Sequence, residues 1–246
     1  AYSDIKPCRI AYHDVETDGY VKNRVNDTSH VDKTLRSIHF KRADGKEALW
    51  TSFSAHATNL GFRSPVLSAD YTKGFHDACD EKGQFSIFSA GMVGSTETRQ
   101  QFERNADSIR EYGLDLASFV LKDTAQLMWE GLKTIEYHRI KFGRPKIQIR
   151  IAPRWCLSQW LVNATFDEEF PVTIFSLNKH VLIGMPCDFS GELYPLLNTE
   201  IKPVITSFNG SYIGYLNHPQ HYFVDTHVEA QDLAWLGEKG GYYAIE

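Results

Sequence analysis

Val181-Leu182-Ile183-Gly184-Met185-Pro186-Cys187-Asp188-Phe189 is the stretch on which the reading of this chain turns. The uncharged run over 181–185 has the composition of a buried strand, and a carboxylate, Asp188, follows directly after it. Downstream, Asn209-Gly210-Ser211-Tyr212-Ile213-Gly214-Tyr215 closes another apolar element with tyrosines, and upstream Ala55-His56-Ala57-Thr58-Asn59-Leu60 places a histidine where a strand ends. A His, an Asp and a Tyr, each at the end of an apolar element, are hard-to-borderline metal ligands of the kind a hydrolytic zinc site uses.

Working outward, Leu35 to Lys41 alternates, Ala43-Asp44-Gly45-Lys46 supplies turn chemistry and Ala48 to Phe53 resumes as a strand, which predicts a hairpin with His56 just past its second arm. Phe170 to Leu177 and Val181 to Met185 flank Asn178-Lys179 as a second hairpin. Further strands are expected over Gln84 to Ala90, Lys146 to Ile151 and Val204 to Phe208. Helices are expected over Thr72 to Glu81 after Asp70, over Ser190 to Leu197, and from Asn105 to about His138. In the last of these, Ile109, Tyr112, Leu116, Phe119, Val120, Leu127, Leu132 and Ile135 recur at three-and-four spacing. Strands and helices mix without strict alternation, which predicts an α/β or α+β fold. A mixed sheet covered by helices is expected, with 1–246 forming a single compact catalytic-type domain, since no repeat or low-complexity linker interrupts the chain.

Composition narrows the partners. With 246 residues and 42% hydrophobic content the chain can bury a sizeable core. A net charge of -5 argues against nucleic acid as the main partner, because phosphate binding wants a basic face. No run approaches the length of a membrane-spanning helix. Cys8, Cys79, Cys156 and Cys187 lack the close pairing of a cysteine-rich zinc site and read as small buried side chains or one disulfide.

Read together and in order, Asn23-Arg24, Val31-Asp32-Lys33-Thr34, Ser54-Ala55-His56-Ala57-Thr58, Ser68-Ala69-Asp70-Tyr71-Thr72-Lys73-Gly74, Met185-Pro186-Cys187-Asp188-Phe189 and Tyr212-Ile213-Gly214-Tyr215 resemble the neutral/alkaline, non-lysosomal ceramidase family. Those are zinc amidohydrolases that cleave the N-acyl bond of ceramide into sphingosine and a fatty acid. The resemblance implies His56, Asp188 and Tyr215 as zinc ligands, with Asp188 standing where the family has glutamate. Tyr212 and His227 are the implied catalytic candidates, His227 lying near the place of a tyrosine that helps polarise the scissile carbonyl. The family's first ligand histidine lies in a segment absent from this chain, so the resemblance implies the C-terminal part of a larger catalytic domain. The missing part would be a separate segment or chain and so a partner.

Each of these residues also has a purely structural reading. His56 fits a hydrogen-bonded core histidine, Asp188 an N-cap for the helix that follows, and Tyr215 a packed aromatic with its hydroxyl satisfied. An aspartate for a glutamate shortens the arm by one carbon–carbon bond, about 1.5 Å. The backbone must then come closer, or a water must bridge. The sharpest departure is in Ala90-Gly91-Met92-Val93-Gly94-Ser95, where the family carries a serine nucleophile at the position of Gly91. Ser89 and Ser95 lie nearby but do not align with it.

The resulting expectation is a secreted, periplasmic or cell-surface zinc hydrolase acting on a lipid or other N-acyl small molecule through zinc-activated water. The competing expectation is a family member without catalysis that binds a lipid or glycan or serves as a subunit. Trp155, Trp160 and Trp235 belong either to a lipid groove or to the core.

Overall fold

The computed structural model describes residues 2–61, 63–99, 103–122, 124–152, 155–224 and 226–246. By internal packing the chain divides into two compact units, 1–21 with 33–89 and 97–134, and 22–32 with 90–96 and 135–246. The chain passes repeatedly from one to the other through ordinary sequence, so no linker marks the division.

The first unit is built on a five-stranded sheet. Strand β1 (Cys8–Glu16) pairs antiparallel along its whole length with β2 (Thr34–Arg42), and β2 turns through Gly45 into β3 (Glu47–Phe53). Gly45 sits at φ 86°, a conformation that favours glycine, and the hairpin appears where the sequence predicts it. Helix α1 (Tyr71–Glu81) begins at Asp70, whose carboxylate accepts the Tyr71 N–H. Strand β4 (Phe85–Ala90) follows, then α2 (Ala106–Leu121), and β5 (Glu130–Gly131) closes the sheet in the order β4-β3-β2-β1-β5. The two helices cross where Gly74 faces the Arg110 carbonyl and Gly113 faces the Tyr71 carbonyl, leaving no room for a methyl group at either position.

The second unit carries a four-stranded mixed sheet of order β10-β8-β7-β6, from β6 (Ile135–Gly143), β7 (Glu169–Leu177), β8 (His180–Gly184) and β10 (Val204–Thr206). The β7–β8 hairpin turns at Asn178, φ 52°, a left-handed position that asparagine tolerates. Strand β8 also pairs parallel with β10. A separate two-stranded parallel ladder, β9 (Asp188–Phe189) with β11 (Tyr215–Leu216), follows the end of β8. Its apolar side joins Met92, Met185, Cys187, Leu193 and Ile213 in the core.

The mixed sheets and helices match the expected α/β class. The long helix expected from 105 to 138 does not form as one element. It stops at Leu121, where Lys122 turns extended, and residues 135–143 are strand. Asp123 lies outside the described residues. Beyond 121 the apolar spacing is satisfied by a strand rich in Ile, Tyr and Phe whose backbone pairs with β7 from Ile135 to Gly143. The strand expected over 146–151 is shorter and later, Arg150–Ala152, and the element after Ser190 is a 3-10 turn over Gly191–Leu196. All four cysteines are free, Cys79 and Cys187 buried and Cys156 exposed.

Candidate active site

Asp188 and Tyr215 face each other in register across the β9–β11 ladder. The ladder continues through the Asp188 N–H to the Gly214 carbonyl at 3.1 Å and the Ser190 N–H to the Leu216 carbonyl at 3.1 Å. Gly214, at φ 84°, allows that approach, since a side chain there would meet the Leu233 carbonyl and the Trp235 ring. The N-cap of the following turn is Ser190, so Asp188 acts as a strand residue and not as a helix cap.

The Asp188 carboxylate is 1% exposed, and the Tyr212 hydroxyl donates to its Oδ2 at 2.5 Å. Tyr212 is held by ring contacts with Phe208 and Trp235. Burial, then the hydrogen bond and charge of Asp188, push the Tyr212 phenol well above its ordinary range, so it remains a proton donor at neutral pH. On the other side, Arg24 lies over the Tyr215 ring and its Nη2 reaches the Tyr215 hydroxyl at 3.4 Å. Burial, followed by the charge of Asp188, pushes Tyr215 up to about 12 against the opposing pull of Arg24.

Arg24 is fixed in turn by Glu229, Nε to Oε1 2.8 Å, with both side chains largely buried. Glu229 Oε1 stands 3.4 Å from His227 Nδ1. His227 lines a cavity of about 350 Å³ with Arg150, Val224, Val228, Gln231 and Asp232, a volume suited to a small ligand. Side-chain contacts thus join Tyr212 to Asp188 and, beside them, Tyr215 through Arg24 and Glu229 to His227, the two series meeting in the backbone register of Asp188 with Tyr215. The sequence expectation named the first three and the last. Arg24 and Glu229 lay within or beside quoted motifs but were given no role, because their partners are distant in sequence.

His56 belongs to the first unit, half-buried three residues past the end of β3 at Phe53, and its backbone bridges Glu97. Gly91 contributes only backbone: its carbonyl accepts from the Ser207 hydroxyl at 2.7 Å. The neighbouring serines are engaged elsewhere, Ser89 Oγ with the Trp50 indole N–H at 2.9 Å and the fully buried Ser95 Oγ donating to Glu192 at 2.6 Å. Trp155 and Trp160 are both 70% exposed, while Trp235 packs against Phe166 and Tyr212.

For a metal, Asp188 and Tyr215 are two oxygen donors in facing registers, which suits zinc as part of a mixed donor set. Among the described residues no three His, Cys, Asp or Glu side chains are grouped to hold a metal ion. A tyrosine-containing set is of a different kind, and in the second unit Asp188 and Tyr215 are the two oxygen donors in register.

The fold has known counterparts. This chain superposes on the crystal structure of neutral ceramidase from Pseudomonas aeruginosa with a TM-score of 0.73 at 14% identity, covering 99% of this chain and 51% of that one. A ceramidase complexed with C2 gives a TM-score of 0.75 at 15% identity, covering 99% of this chain and 53% of that one. The chain thus shares the fold of those ceramidase structures and spans about half their length. No family model matches the sequence, and no curated protein matches it.

Proposed function

We propose that this chain is a zinc-dependent, ceramidase-like hydrolase of an N-acyl amide or related acyl bond in a lipid-like substrate, working at the cell surface, in the periplasm or outside the cell. The observation that carries the reading is the in-register pairing of buried Asp188 with Tyr215, within a fold shared with neutral ceramidase structures. Asp188 and Tyr215 would hold the metal. When bound, zinc lowers the pKa of water toward about 7 and polarises a carbonyl. Tyr212 orients the Asp188 carboxylate, and Arg24 steadies the Tyr215 oxygen. His227, at the cavity, can donate a hydrogen bond or move a proton to a leaving group.

Loss of a hydroxyl at Gly91, with Ser89 and Ser95 already committed, favours a second reading: a non-catalytic relative that binds lipid or glycan. Elemental analysis of the purified chain, with and without Asp188→Ala and Tyr215→Phe, separates the two. About one zinc per chain, lost on substitution and accompanied by hydrolysis of a short-chain N-acyl sphingosine, supports the hydrolase. No zinc and no turnover, with the N-acyl lipid still bound, supports the binding protein.

A further inference from the structure

The second unit holds another arrangement that no part of the zinc reading uses. His221 is 1% exposed, and its Nε2 stands 3.0 Å from the Ser29 hydroxyl. Its Nδ1 stands 3.5 Å from Glu192 Oε1. Glu192, itself 6% exposed, is anchored by the Asn23 side-chain amide on Oε1 and by the Ser95 hydroxyl on Oε2 at 2.6 Å. We infer that Ser29, His221 and Glu192 form a serine-nucleophile site for metal-independent acyl transfer from small carboxylic esters.

The tautomer follows from the neighbours. Glu192 accepts and cannot donate when ionised, so its charge, 3.5 Å away, favours the neutral tautomer with the proton on Nδ1, although Nδ1 makes no hydrogen bond in this structure. Gln220 Nε2, a pure donor, lies 3.1 Å from His221 Nε2, which makes that nitrogen an acceptor. Nε2 thus meets two donors, the Gln220 amide and the Ser29 hydroxyl, and its single lone pair takes the Ser29 proton once the amide turns to Ser29 Oγ. Burial, opposed by Glu192 and aided by His218, pulls the imidazole pKa below its ordinary value, so it is unprotonated and basic at neutral pH. Gln220 Nε2 also donates to Ser29 Oγ at 3.4 Å, which holds the nucleophile oxygen beside the imidazole. Access differs from depth in the expected way: His221 and Glu192 are buried, whereas Ser29 is half-buried and Gln220 exposed.

The step balances with water as co-reactant. Ser29 Oγ bonds to the ester carbonyl carbon while its proton passes to His221 Nε2. The ester C–O bond breaks and the leaving alcohol takes that proton. Water then gives a proton to Nε2 and its hydroxyl to the acyl carbon; the Oγ–acyl bond breaks as Nε2 passes that proton to Ser29 Oγ, which releases the carboxylic acid and restores both Ser29 and the neutral imidazole. Glu192 is a positioning residue throughout.

The test uses the whole chain with p-nitrophenyl acetate in the presence of EDTA, reading nitrophenolate release and the site of acetylation by peptide mass spectrometry. Expected are one acetyl group on Ser29, its loss in Ser29→Ala, and acylation slowed about 100-fold in His221→Asn. Ser29→Cys should restore acyl transfer through sulfur, a result that mere packing of His221 would not give. The Ser29 variants remove or exchange one half-buried atom, so they remain informative if His221→Asn does not fold. No acetyl group on Ser29, or hydrolysis unchanged in Ser29→Ala, overturns the inference. Because EDTA removes metal, the outcome is independent of the zinc reading.

Discussion

Asp188 and Glu192 are buried to nearly the same degree, 1% and 6% exposed, yet they face opposite kinds of partner. Asp188 takes a hydrogen bond from a phenol whose proton is held more tightly than usual, and it lies in register with a second phenol. Glu192 is fixed by an amide and a hydroxyl and looks onto an imidazole whose proton is held less tightly than usual. At neutral pH the phenols around Asp188 hold their protons tightly, so under the proposed function that site would gain reactivity only by binding a cation. The imidazole beside Glu192 can shuttle a proton unaided. Burial makes both carboxylates costly; the partner decides what each can do.

The residue that links the two is Gly94. Its N–H donates to the Phe189 carbonyl at 2.9 Å, and a methyl group there would meet Ser190 Oγ at 2.5 Å and the Asp188 carbonyl at 2.8 Å. Backbone atoms cannot yield as a flexible side chain can. Gly94→Ala should destabilise the chain by about 3 kcal/mol, read from the urea midpoint, and should weaken metal binding and ester acylation together. Loss of one function alone would mean that the two carboxylates are positioned independently.

Removing each carboxylate in turn sharpens the contrast. Glu192→Ala leaves the Asn23 amide, the Ser95 hydroxyl and the His221 imidazole without their acceptor in a buried setting, and should cost about 2–3 kcal/mol. Asp188→Ala leaves the Tyr212 hydroxyl without its acceptor, but Tyr212 is 38% exposed and can turn to water. That change should cost about 1 kcal/mol in the same denaturation measurement. Equal losses would show that the surroundings treat the two carboxylates alike.

Much of this frame was legible in the sequence because it rests on short-range signals. The 170–185 hairpin, the Asp70 cap and the strand ending before Asp188 each follow from a few adjacent residues. The helix expected to reach 138 fails for the converse reason: three-and-four spacing from Leu127 onward does not reveal that β7 offers residues 135–143 a full set of backbone partners. The polar contacts were half visible. Tyr212, Asp188 and Tyr215 cluster within one stretch, whereas Arg24 joins Glu229 from the far end of the chain. His221 offered no ligand spacing and reads as an ordinary histidine until Ser29 and Glu192 are brought to it by folding. Contacts of that range have no local signature.

The smallest expected effect lies in pH. Tyr215 rises from its unfolded value of 10.0 to about 12 on folding, so between those values the folded chain holds a proton that the unfolded chain has lost. Its contribution is complete below pH 10 and disappears as pH rises through 12. His221 shifts the other way: its pKa falls below 6.5 on folding, so its contribution is present above pH 6.5 and is lost on acidification. Stability against urea, followed across pH, should therefore decline at the alkaline end in part through the Asp188 region, with buried Tyr71 and Tyr112 raised as well, and at the acid end in part through the Glu192 region, with His39 lowered to about 4 by burial. Tyr215→Phe should make the alkaline decline shallower without abolishing it, because Tyr212 is raised as well, and should leave the acid decline unchanged. If the substitution altered the acid limb instead, the two regions would be titrating as one, and the separation between a phenol-bound and an imidazole-facing carboxylate would fail.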